Sequence, residues 1–69
     1  MKKDIEKYAL HNAVKYNGKA NAGAVIGKLL SEKPELKEKM KDVAKEVNSV
    51  IREVNAMHPN EQLKKLEEL

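Results

Sequence analysis

Cysteine, tryptophan, phenylalanine and threonine do not occur in this 69-residue chain, and its aromatic side chains are Tyr8 and Tyr16 alone. Without cysteine there is neither a disulfide framework nor a thiolate metal site, so nothing calls for an oxidising compartment and the cytoplasm is the expected location. Without large aromatics the core has to be aliphatic. Proline is confined to Pro34 and Pro59, and glycine to Gly18, Gly23 and Gly27. No apolar run approaches the ~20 residues needed to span a bilayer. No apolar stretch follows the basic Met1-Lys2-Lys3 either, so neither a membrane partner nor a secretory signal is expected.

Acid is missing from one long stretch. The net charge is +3, but it is unevenly placed. Residues 1–30 carry Lys2, Lys3, Lys7, Lys15, Lys19 and Lys28 against Asp4 and Glu6, a net +4, and residues 31–69 carry a net −1. No Asp or Glu stands between Glu6 and Glu32. A local basic stretch of this kind suits a polyanionic partner better than the whole-chain charge does.

What is present reads as helix, because the apolar residues recur at spacings of three and four rather than alternating. The expected fold is all-α: a small single-domain bundle of three to four helices, over about 3–16, 22–31, 34–57 and 59–69, with a long third helix packing on a short helical pair. Ile5, Tyr8, Ala9, Asn12 and Tyr16 share one face of the first helix, and Leu10 and Val14 lie nearly opposite, so it should touch neighbours on two sides. Gly18 fits a left-handed C-terminal cap, and Asn21 an N-cap for the second helix. Gly27 sits inside that helix at a cost of ~1 kcal/mol relative to alanine, which predicts close approach of another backbone. Pro34 suits the first turn of the third helix, where its missing N–H needs no partner. Leu36, Met40, Val43, Val47, Val50, Val54 and Met57 then form a heptad seam, widened by Ala44 and Ile51. Pro59 opens the fourth helix, which leads into Leu63, Leu66 and Leu69. The chain closes on Glu67-Glu68-Leu69 with no glycine cap and with acids at the negative end of the helix dipole. That ending reads as a cut at a linker in a longer parent.

The inventory for chemistry is thin. The only imidazoles, His11 and His58, fall on different elements, and the hydroxyls are Ser31, Ser49 and the tyrosines. No nucleophile–base–orienter set or metal-ligand spacing emerges, so no catalytic residue, metal or cofactor is expected in this segment. His11 reads as a solvated helix position and His58 as a cap. Asn12, in the middle of an apolar face, must find a partner. A backbone group in the turn around Gly18–Asn21 is expected, with direct ligand contact as the alternative.

The turn Asn17-Gly18-Lys19-Ala20-Asn21-Ala22-Gly23 is the strongest functional candidate. It presents the start of a helix, with unpaired N–H groups and the positive dipole end, which accepts phosphate readily. Lys15, Lys19 and Lys28 accompany it. Tyr16 is expected to be buried against the core, a stacking face for a base or ribose being the alternative. The spacing is not that of a Walker loop. The candidate binding residues are therefore Lys15, Tyr16, Gly18, Lys19, Asn21 and Lys28, with Asn12, Gly18, Gly27, Pro34 and Pro59 in structural roles.

The run Asn12-Ala13-Val14-Lys15-Tyr16-Asn17-Gly18-Lys19-Ala20-Asn21, within Tyr8–Leu30, resembles the N-terminal appended domain of archaeal-type glutamyl-tRNA synthetases. Pro34-Glu35-Leu36 and Glu61-Gln62 followed by Leu66-Glu67-Glu68-Leu69 fit the same family. Gly18-Lys19-Ala20 with Val25 and Leu29-Leu30 also resembles the helical tails of tRNA-dependent amidotransferase B subunits and YqeY-like proteins. Family members often carry proline where Ala22 stands, which leaves the cap of the second helix less fixed here. The resemblance implies a parent that is an ATP-dependent glutamate–tRNA ligase, with ATP and glutamate bound by a downstream class I catalytic domain whose signatures are absent from this segment. It implies tRNA and that catalytic domain as partners, with docking to the synthetase body or another translation factor as the alternative role. A plain folding appendage is the third.

Overall fold

The computed structural model describes residues 2–69. They form four α-helices, α1 (Lys2–Lys15), α2 (Ala22–Glu32), α3 (Met40–Asn55) and α4 (Pro59–Glu68), with a 3-10 helix over Pro34–Lys39 between α2 and α3. No strand occurs among the described residues. The fold is the expected all-α bundle, and α1 is its hub, packing against α2, α3 and α4 alike. That explains its two apolar sides in part: Ile5, Ala9, Leu10 and Ala13 are all buried, while Val14 is 42% exposed.

The core is aliphatic throughout. Val25 and Leu29 of α2 and Val43, Val47, Val50 and Val54 of α3 close over α1. Each such side chain contributes ~1.5–3 kcal/mol when fully buried, which outweighs the slightly poor helix propensity of four valines.

The single helix expected over 34–57 is instead two elements that meet at Lys39 (φ −123°, ψ 36°). At Lys39 the backbone leaves the helical region, so the preceding segment does not continue the axis of α3. The chain tightens into the 3-10 helix instead, and Leu36 folds back onto the core while Met40 stays 39% exposed. Met40 therefore drops out of the seam. Gly27 departs from expectation as well: a methyl group there would meet nothing within 4 Å. It lies on the outer face of α2, away from Val25 and Leu29, and admits no close backbone approach. On α4 the inward residues are Gln62 and Leu66, four apart, while Leu63 and Leu69 drift around the helix and are exposed.

Candidate nucleic-acid interface

α1 ends in a left-handed cap that begins at Asn17 (φ 60°), one residue before the expected Gly18 (φ 94°). Gly18 N–H donates to Ala13 O at 2.7 Å, the six-to-one bond of a Schellman ending. Tyr16 follows the last helical residue, so its ring leaves the apolar face of α1 and is 55% exposed rather than buried. The Lys15 ammonium lies 5.6 Å from the centre of that ring, within cation–π range.

The backbone from Gly18 to Asn21 is held by side-chain amides from three helices. Gln62 Nε2 donates to Gly18 O at 2.9 Å. Asn55 Oδ1 accepts from Ala20 N–H at 2.7 Å, and its Nδ2 donates back to Ala20 O at 3.4 Å. Asn12 Oδ1 accepts from Asn21 N–H at 2.6 Å. Asn21 in turn caps α2, its Oδ1 accepting from Ala24 N–H at 3.1 Å. The Asn21 N–H is thus spent on Asn12. Ala22 and Gly23 occupy the first two positions of α2, where N–H groups have no intrahelical acceptor.

Between α1 and α2 runs a groove of about 530 Å³, lined by Lys7, Tyr8, His11, Asn12 and Lys15 from α1 and by Ala24, Val25, Lys28 and Glu32 from α2. It brings Lys15 and Lys28 together, with Asn12 joining groove to turn. Tyr16, Gly18, Lys19 and Asn21 lie outside it, and Lys19 stands exposed on the turn. Lys7 and His11 stand in the groove too, unanticipated from the sequence. Residues 7, 11 and 15 recur every fourth position on one helical face, a signal that was available.

The far end of the groove is fastened by polar contacts. The Tyr8 hydroxyl donates to the Glu32 carboxylate, and Lys33 Nζ pairs with Asp4 Oδ2 at 2.7 Å. The Glu32 hydrogen bond pushes the Tyr8 phenol up to about 12. The Tyr8 hydroxyl, then the charge of Lys28, hold the Glu32 carboxyl below the ordinary carboxylate range. Lys33 lowers Asp4 by hydrogen bond and charge, and Asp4 raises Lys33 in return. Lys28 pairs with Glu32 at 3.5 Å. Among the described residues the ion pairs are these two, which leaves Lys7 and Lys15 unpaired.

The fold and site define the class: a small helical module with a cationic groove, in which no three His, Cys, Asp or Glu of the described residues cluster to hold a metal. The particular relatives are glutamate–tRNA ligases. The chain is 52% identical to that of Pyrococcus furiosus over 63 residues, which is 91% of this chain and 11% of that protein. It is 52% identical to that of Methanocaldococcus jannaschii over 69 residues, 100% of this chain and 12% of that protein. Against that of Sulfolobus acidocaldarius the figures are 44% over 63 residues, 91% and 11%. The chain is thus similar to a small segment of these enzymes, spanning 11–12% of their length. No family model and no solved structure matches it. No helix of the described residues is long and apolar enough to cross a membrane.

Proposed function

We propose that the chain is a non-catalytic accessory domain of a cytoplasmic glutamate–tRNA ligase, appended on the N-terminal side of a class I catalytic body, and that it assists tRNA binding. The body binds ATP and glutamate; this segment binds neither. The observation that carries the reading is the convergence of Lys7, Lys15 and Lys28 on one groove, in a stretch with no acid between Glu6 and Glu32, in a chain whose relatives act on tRNA by name. The groove lysines contact phosphates. Lys19 and the N–H groups of Ala22 and Gly23 extend that surface around the turn, and the exposed ring of Tyr16 offers a stacking face. Phosphate contacts position a nucleic acid without reading its sequence.

The test is a tRNA titration of this chain at several salt concentrations, beside a Lys15→Ala/Lys19→Ala/Lys28→Ala variant. The variant is expected to bind more weakly, with a log–log salt slope shallower by ~0.9 for each duplex phosphate it no longer neutralises. Equal affinities and equal slopes sink the reading. A second reading is docking to the synthetase body or to another translation factor. It is favoured by Val14 and Leu63, 42% and 47% exposed on the neighbouring helices α1 and α4. A pulldown that recovers tRNA and no protein counts against it.

A further inference from the structure

Gln62 is the one polar side chain among the described residues that is buried outright, at 0% exposure. Its Nε2 donates to two carbonyls of separate elements, Gly18 O in the turn at 2.9 Å and Val54 O near the end of α3 at 2.8 Å. Both neighbours are acceptors, which fixes the amide with its nitrogen toward them. The Oε1 is left without a partner and faces Gly18, where an added Cβ would lie 3.7 Å away. An apolar side chain of similar size would fill the space without an orphaned acceptor, whose burial carries a penalty. It could not hold two carbonyls to one point. The same end of α3 carries Asn55, which holds Ala20. Docking of α4 therefore fixes both the first residue of the Gly18–Asn21 segment and the helix end that grips its middle.

We infer that Gln62 is a positioning residue for the binding surface: it holds the turn in the one conformation that presents Lys19 and the Ala22 and Gly23 N–H groups, and it makes that conformation depend on α4 being docked. The ligand in this inference rests on the tRNA reading above; the geometry does not. Coupling of this kind is reciprocal, so a polyanion bound at the turn tightens α4, and release of α4 weakens the polyanion.

The test is Gln62→Met in the full chain, read by amide hydrogen exchange and by titration with a glutamate tRNA transcript. Exchange at the Ala20 and Asn21 N–H groups is expected to accelerate at least ~10-fold, the scale set by removing one or two hydrogen bonds, while the core amides of Leu29 and Val47 change less than ~2-fold. tRNA affinity should fall roughly 5- to 10-fold. In a Lys19→Ala background the same substitution should cost less than it does alone, because both act through the turn. Should Gln62→Met fail to fold, Gln62→Leu is read in the same way, and Asn55→Ala, which removes the Ala20 acceptor itself, sets the upper limit of the local acceleration. Unchanged exchange at Ala20 and Asn21, uniform acceleration across the chain, or additive losses in the double variant overturn the inference. Should the lysine variant bind tRNA like the unaltered chain, the tRNA reading fails by itself, and exchange at Ala20 and Asn21 still decides the role of Gln62.

Discussion

At Gly27 a methyl group meets nothing, whereas at Gly18 it lands 3.5 Å from Pro59 Cγ on a backbone at φ 94°. The two glycines therefore carry opposite predictions. Gly27→Ala restores helix propensity at no steric cost and should stabilise the chain by ~0.5–1 kcal/mol, raising Tm by roughly 2–8 °C. Gly18→Ala forces an L side chain into a left-handed backbone and should destabilise by about 1–2 kcal/mol. Paired thermal melts decide both: a lowered Tm for Gly27→Ala would mean that α2 packs more closely than the open space shows. Residue by residue, legibility in the sequence followed how local the cause was. Asn12 had to find a partner, and the turn where it finds one was readable from its neighbours. Gln62 was not legible as a buried group, because its partners are 44 and 8 residues away and nothing in a Gln beside leucines marks which will face inward.

Among the elements, α1 and α2 are joined at their far end by polar contacts whose strength depends on pH. The Glu32 and Asp4 carboxyls sit below their ordinary values in the folded chain. Their stabilisation is present above the unfolded carboxylate range and is lost as pH falls through the folded values. The Tyr8 phenol is raised to about 12, so its share is intact below the unfolded value near 10 and is lost as pH climbs from there toward 12. Lys33, also raised, adds to that alkaline loss. Tyr8→Phe should therefore shrink both limbs of a Tm-versus-pH curve without abolishing either, and the difference should narrow in high salt, because the groups are half-exposed or exposed. An unchanged curve would show that the Tyr8–Glu32 hydrogen bond does not join the helices in solution. Element starts were readable where a cap is local, as at Asn21 and Pro59, which open α2 and α4. The break at Lys39 was not, since the heptad spacing runs through it unbroken. What interrupts the helix is one non-helical backbone position at Lys39, which side-chain spacing does not encode. The groove was half legible: Lys15 and Lys28 stood out in the acid-free stretch and the every-fourth spacing puts Lys7 and His11 on the Lys15 face, but only the approach of α2 makes that face one wall of a groove.

Taken whole, the molecule brings Lys7, Lys15 and Lys28 to one side of its hub helix and leaves Glu32 as the acid that reaches the groove, tied to Tyr8 and Lys28. On the tRNA reading proposed above, such a surface contributes attraction that is long-ranged and indifferent to sequence. Binding energy of that sort acts equally on the bound ground state and the transition state, so it lowers KM without raising kcat. In a parent ligase, removal of this segment should therefore raise KM for tRNA and leave kcat unchanged, with each ~1.4 kcal/mol of binding energy removed appearing as a tenfold change. The salt sensitivity of KM should fall in step, because on that reading the attraction removed is to phosphates. A fall in kcat at saturating tRNA would place the segment in the chemistry or in the assembly of the active site, a role for which its groove offers no geometry. Unchanged values of both constants would reduce it to a folding appendage, and the gathering of Lys7, Lys15 and Lys28 would then be a solvated face and nothing more.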